Sequence, residues 1–132
     1  MKPLRREEEM AEILTGMNAV IFMFVDWSEY ARRGRAVFEG AEAKCTAGSS
    51  NGSASWWIAD ISSTDSPLSA VLHRWLTAQE QRGKVRMFPN IGMGNGAVLW
   101  VKNGEVIGFH ASAERLGLDA LVHCTEEILA DS

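Results

Sequence analysis

Ala19-Val20-Ile21-Phe22-Met23-Phe24-Val25 most narrows the folds open to this chain. An unbroken apolar run cannot alternate between a wet and a dry face, so a strand here must be buried on both sides. It is far too short to span a bilayer, which takes about 20 residues. A doubly buried strand needs helices above and below it, which points to an α/β layer architecture. Trp56 to Ile61 repeats the demand. In a strand the adjacent Trp56 and Trp57 point to opposite faces, and both faces need cover.

The flanking segments supply that cover. Glu7 to Thr15 is rich in helix formers, with Met10, Ile13 and Leu14 as its apolar positions and Gly16 as a stop. Asp26 or Ser28 is placed to cap a second helix, and Asp26-x-x-Glu29 fits a reciprocal cap. Tyr30, Val37, Phe38, Ala41 and Cys45 form that helix's apolar stripe. Asp65-Ser66-Pro67 starts a third helix, with Ser66 as its cap and Leu68, Val71, Leu72, Trp75 and Leu76 at 3.6-residue spacing. Ala97 to Val101 and Glu105 to His110 flank Asn103-Gly104, a type I′ hairpin signal. Leu118, Leu121, Val122, Thr125, Ile128 and Leu129 form the inner face of a last helix. The stretches 47–55 and 81–96 read as loops, the second glycine-rich and containing Pro89. Trp56, Trp75 and Trp100 are expected in the core. The order α-β-α-β-α-β-β-α predicts a single α/β domain over residues 1–132.

Composition excludes several functions. With 132 residues, 46% apolar and 23% charged, the chain reads as a soluble globular domain with a real core. A net charge of -4 argues against nucleic acid and anionic membranes as partners. The basic clusters Arg5-Arg6 and Arg32-Arg33 with Arg35 are short and read as solvated faces. No apolar stretch follows the basic residues of the N-terminus, so no signal peptide is expected and a cytoplasmic location is. Cys45 and Cys124 are expected to be free thiols packed in a reducing compartment, with a bridge as the alternative. His123 and Cys124 are adjacent, diverge from a helix and lack a second local pair, so no metal is expected. Gly92-x-Gly94-x-Gly96 leads into a strand instead of opening a helix, so it is not a phosphate cradle. No cofactor is expected.

The segment from Gly94 to Val106, Gly-Asn-Gly-Ala-Val-Leu-Trp-Val-Lys-Asn-Gly-Glu-Val, resembles the thioredoxin sequence Gly-Ile-Pro-Thr, an apolar strand, then Lys-Asn-Gly-Glu-Val. Trp27-Ser28-Glu29-Tyr30-Ala31, between strand and helix, resembles the earlier half of the same family. The resemblance covers Ala19 to the end. It implies a thioredoxin-like three-layer α/β/α sandwich with a C-terminal hairpin and final helix. The mixed sheet would have four strands, or five if the N-terminal strand is very short and not missing. The resemblance also implies where the family's chemistry would lie. Its two cysteine positions fall on Ser28 and Ala31, its cis-proline position on Gly96, and its buried carboxylate on Phe22.

Thiol–disulfide exchange needs an attacking thiolate and a second thiol to resolve the mixed disulfide. A helix N-terminus stabilises a thiolate, but an effect of about 1 kcal/mol cannot ionise a serine hydroxyl. Ala31 has no chemistry. Dithiol oxidoreduction is therefore not expected, and no catalytic residue is assigned. Ser28 as a nucleophile would need a base within reach. Of the histidines, His73 is expected in solvent and His110 and His123 far from Ser28. What remains is recognition. The family's equivalent of Trp27 lies at the partner-binding surface. The predicted contact patch is Trp27, Ser28, Tyr30, Met87, Phe88, Met93, Asn95 and Gly96. The blander alternative is that Trp27 and Tyr30 merely cover the sheet end. The expected partner is another protein or a second copy of this chain. Two other readings stay open: glutathione-dependent or single-thiol chemistry near Ser28, and a structural homodimer.

Overall fold

A five-stranded mixed sheet runs through the centre of the molecule in the order β1-β3-β2-β4-β5. The computed structural model describes residues 1–16, 18–47, 54–62, 67–82, 86 and 95–130. The strands are β1 (Lys2–Leu4), β2 (Asn18–Phe24), β3 (Ser55–Asp60), β4 (Ala97–Lys102) and β5 (Glu105–His110). The helices are α1 (Glu7–Thr15), α2 (Glu29–Ala47), α3 (Pro67–Gln81), α4 (Ala113–Leu116) and α5 (Leu118–Ala130). β2 is the central strand, parallel to β3 and antiparallel to β4. That position explains its uninterrupted apolar sequence, because both of its faces are covered.

The two faces carry separate cores. One gathers Ile21, Met23, Trp57 and Leu99 of the sheet with Met10 and Ile13 of α1 and Leu68, Leu72 and Leu76 of α3. The other gathers Val20, Phe22, Trp56 and Trp100 with Phe38, Ala41 and Cys45 of α2 and Leu121 and Leu129 of α5. Trp56 and Trp57 thus separate to opposite faces, as strand alternation requires. The result is the three-layer α/β/α sandwich expected from the order of elements. Trp56 and Trp100 are buried, while Trp75 packs half-buried against the first core. No described helix is long and apolar enough to cross a membrane.

The N-terminal strand is present as the very short one the resemblance allowed: it is three residues long and pairs parallel with β3 at the edge of a five-stranded sheet. Three residues carry no periodicity, and Pro3 looks unlike a strand, yet an edge strand tolerates its missing N–H. The short α4 is new. Ser112 caps it by accepting the Arg115 amide, and Gly117 ends it at a φ of 86°. Leu14, grouped with the apolar face of α1, is exposed. The hairpin is as expected: Asn103 and Gly104 both take positive φ, at 54° and 79°. Ser66, read as the cap of α3, lies outside the described residues, as do 48–53 and most of 81–96.

Two buried polar side chains tie helices to the sheet. Gln79 of α3 uses its Oε1 to accept the Val106 amide at 3.1 Å, beside the register shift between Trp100 and Val101. Thr125 of α5, fully buried, accepts the Trp100 indole N–H at 2.9 Å and donates its own hydrogen to the Leu121 carbonyl at 2.8 Å. Thr125→Val keeps the shape and strands the indole donor without a partner. Equilibrium urea unfolding is expected to show a loss of about 1–3 kcal/mol. An unchanged midpoint would contradict the role given to this bond.

Candidate functional site

The site is assembled where the chain leaves β2. Residues after Phe24 turn sharply, and backbone and side-chain bonds hold the turn. The Asp26 amide donates to Ser62 Oγ at 2.8 Å, and the Ile61 amide donates to the Phe24 carbonyl at 2.8 Å. Ser62 Oγ in turn lies 2.5 Å from Asp60 Oδ1. The ends of the parallel strands β2 and β3 are thereby joined. Arg32 closes the turn from the helix side by donating to the Asp26 carbonyl at 2.7 Å.

Ser28 is the N-cap of α2. Its Oγ accepts the Ala31 amide at 3.3 Å and its carbonyl accepts the Arg32 amide at 3.0 Å. The residue is only 7% exposed. Asp26, the other candidate cap, is exposed and is not one, because the helix starts at Glu29. Ala31 is fully buried. The helix face also differs from the sequence stripe. Ala31, Gly34, Phe38, Ala41 and Cys45 are buried, whereas Tyr30 is 46% exposed. The reason is close packing: small residues are needed where α2 crosses Phe22, and a β-carbon on Gly34 would already touch that ring at 3.4 Å.

Gly96 completes the cluster. Its φ is +78°, a region that disfavours side chains. A β-carbon there would sit 3.1 Å from Ala31 Cα and 3.3 Å from the Phe22 ring. The Gly96 carbonyl accepts the Ala113 amide at 2.8 Å, which hangs α4 on this loop. Phe22 is fully buried and stacks on Phe38, with ring centroids 5.2 Å apart. Ser28, Ala31, Gly96 and Phe22 therefore converge as one packed group. It contains a hydroxyl used as a cap, a methyl, a glycine and an aromatic ring, with no thiol and no carboxylate.

Around this group the surface is aromatic and charged. Trp27 is 62% exposed beside the half-exposed Tyr30. The Arg33 guanidinium lies 5.3 Å from the Tyr30 ring centroid and bonds both Glu114 of α4 and Glu29. Its hydrogen bond to the Glu114 carboxylate is the main cause that raises its pKa. The α2–α4 clasp was not legible from the sequence, since α4 itself was not. Asn95 is half-buried next to Gly96. Met87, Phe88 and Met93 lie outside the described residues.

The other reactive groups sit elsewhere. Cys45 and Cys124 are free, and Cys45 lies about 25 Å along α2 from Ser28. Burial, with a smaller push from Glu126, raises the Cys45 thiol above its ordinary pKa and keeps it protonated. The His110 Nδ1 accepts the Ser112 amide at 3.1 Å, and His123 pairs with Glu127 at 3.3 Å on α5. His73 is exposed on α3. No group of three metal-binding side chains exists among the described residues.

The close approach at Gly96 is directly testable against Gly117. Gly117 has a similar φ of 86° and nothing within 4 Å of its β-position. Gly117→Ala should cost only the backbone strain of its glycine-only conformation (φ 86°, ψ 160°), about 1–3 kcal/mol. Gly96→Ala should cost clearly more in the same denaturation experiment, because the new methyl also strikes α2 and Phe22. Equal losses would contradict the packing described here.

No protein-family model matches the chain, and no curated protein matches it by sequence. Solved structures do. Thioredoxin from Plasmodium falciparum is similar at a TM-score of 0.57 and 14% identity, over 96% of this chain and 98% of that one. Thioredoxin f2 of Chlamydomonas reinhardtii gives a TM-score of 0.61 at 8% identity, over 100% of this chain and 99% of that one. A thioredoxin of Malassezia sympodialis gives 0.59 at 13% identity, over 96% and 89%. Identity this low carries the architecture and nothing finer. With sheet order, helix placement and these neighbours in agreement, the chain has a thioredoxin-like fold.

Proposed function

We propose that this chain is a recognition module on a thioredoxin-like scaffold. It binds another protein through the face around Trp27 and does not exchange dithiols. The observation that carries the reading is the coupling of an inert centre to an exposed aromatic rim. Ser28 is occupied as a helix cap and Ala31 is a buried methyl, so the centre holds nothing to donate electrons. Among the described residues, three large apolar side chains are exposed, and two of them, Trp27 and Tyr30, stand at that rim. Aromatic side chains in such a position dominate interface energies.

Order at the rim favours binding as well. The Tyr30 ring is held under Arg33, which is itself tied to α2 and α4. Trp27 projects from a turn fixed by Asp26 and Ser62. Side chains already ordered lose less entropy on association. The chemistry at Ser28 weighs against the glutathione-dependent alternative, because its hydroxyl caps the helix and the only two cysteines lie elsewhere in the chain. The two unbridged thiols suit a reducing compartment, in line with the cytoplasmic location expected from the sequence.

Affinity capture from the native host, with the native chain and Trp27→Ala as parallel baits, tests this reading. The expected result is one specific protein retained by the native chain and depleted at least about tenfold by Trp27→Ala, as for an aromatic hot spot. Identical protein sets on both baits would contradict it. Sedimentation of both baits separates self-association from binding to a different protein.

A further inference from the structure

A concave feature that does not include Trp27 lies on the sheet face that α2 covers. There α2 packs over β2 and α5 over β4. Toward β3 and β1, the flank of α2 stands on one side and Met1 and Pro3 on the other. Phe24 and Ile58, which face the same side as fully buried Phe22, are only partly covered there. They form the floor of a cleft of about 340 Å³. Arg35 and Glu39 line its helix side, and Arg5 and Asp60 its end. Cavities of this size reach the lower range of small-molecule sites, about 300–1,000 Å³.

The charged groups of the cleft are loosely engaged. The Arg35 Nε is 3.7 Å from Glu39 Oε2, and both side chains are about half-exposed, so the pair is weak and exchangeable. The Arg35 guanidinium also lies 5.6 Å from the Phe24 ring centroid, which places it over the apolar floor. Arg5 uses its backbone N–H to reach Glu9, and its guanidinium has no ion pair among the described residues. Asp60 spends Oδ1 on the Ser62 amide and hydroxyl, while its other oxygen has no such bond among the described residues.

Two guanidinium groups and two carboxylates thus share one small cleft over an aromatic and aliphatic floor, and the ammonium of Met1, which also lines it, is paired with Glu42 at 2.7 Å. A ligand of a single sign meets as many like charges as opposite ones there, which disfavours it. A ligand with both signs close together on an apolar body finds a complementary group for each of them, since each side of the cleft sets one guanidinium beside one carboxylate. We infer that this cleft binds a zwitterionic amino acid or short peptide with an apolar side chain. The carboxylate sits against Arg35 and Arg5, whose planar forks suit it. The ammonium faces Asp60 and Glu39, and the side chain rests on Phe24 and Ile58. This inference goes beyond the recognition role of Trp27 and does not depend on it.

The test is a titration of the isotope-labelled full chain followed by amide chemical shifts. The probes are L-phenylalanine, a diphenylalanine dipeptide, N-acetyl-L-phenylalanine and L-phenylalaninamide. Saturable shifts are expected at Arg5, Phe24, Arg35 and Ile58 with a zwitterionic probe, in roughly the millimolar range. The stronger of the first two probes tells whether the source is a free amino acid or a peptide. Each blocked probe should bind at least about tenfold more weakly. Arg35→Gln and Arg5→Gln, both at solvent-facing positions, should weaken the zwitterion similarly, while Trp27→Ala leaves it unchanged. Absence of saturable shifts with both zwitterions, equal binding of the blocked probes, or unchanged affinity in both arginine variants would overturn the inference.

Discussion

The structure around the start of α2 depends on one close contact: the Phe22 ring packed against α2 and Gly96. A side chain at Gly96 would collide with both Ala31 and Phe22, and a larger residue at Gly34 would press on the same ring. The start of α2 lies on the sheet with Ala31 and Gly34 facing inward. That rotation sets everything outside. It turns Tyr30 toward solvent, leaves Trp27 on the open turn and brings Arg33 within reach of Glu114. The Phe22 ring is thus the packing element that shapes the exposed rim.

The same arrangement separates stability from recognition. Beneath the surface, the contacts are dispersive and dense: Phe22 on Phe38, and Phe38 edge-on to Trp56 at 5.1 Å. At the surface, the ion pairs around Arg33 are solvent-exposed and contribute little to folding. Their effect is orientation of Tyr30 and of α4 relative to α2. At the far end of the helix, burial raises the Cys45 thiol above its ordinary pKa.

Much of the architecture was legible from strong local signals. The unbroken apolar run at Ala19 predicted the central strand, adjacent Trp56 and Trp57 predicted cover on both faces, and Asn103-Gly104 predicted the hairpin. Signals failed where geometry is set by tertiary contact. Lys2 to Leu4 is too short to show a period, and it becomes a strand only by pairing with β3. Hydrophobicity placed Tyr30 inside α2's stripe, but the buried face of the helix start is formed by Ala31 and Gly34, with Gly34 close over the Phe22 ring. Asp26 and Ser28 were equal as caps until the turn bonded Asp26 to Ser62 and left Ser28 at the helix start. The resemblance assigned family positions to Ser28, Ala31, Gly96 and Phe22; in the fold Ala31 and Phe22 lie against Gly96, and Ser28 caps the same helix start. The mixed-charge cleft gave no sequence signal, since its residues come from four separate elements and their flanks.

The most direct measurement is disulfide reductase activity of the purified native chain with a thiol reductant and a protein disulfide substrate. An oxygen at Ser28 and a methyl at Ala31 leave nothing to form or resolve a mixed disulfide. The expected rate is that of the reductant alone, unchanged by Cys45→Ser or Cys124→Ser. Turnover well above that background, abolished by either cysteine substitution, would contradict the account at its centre.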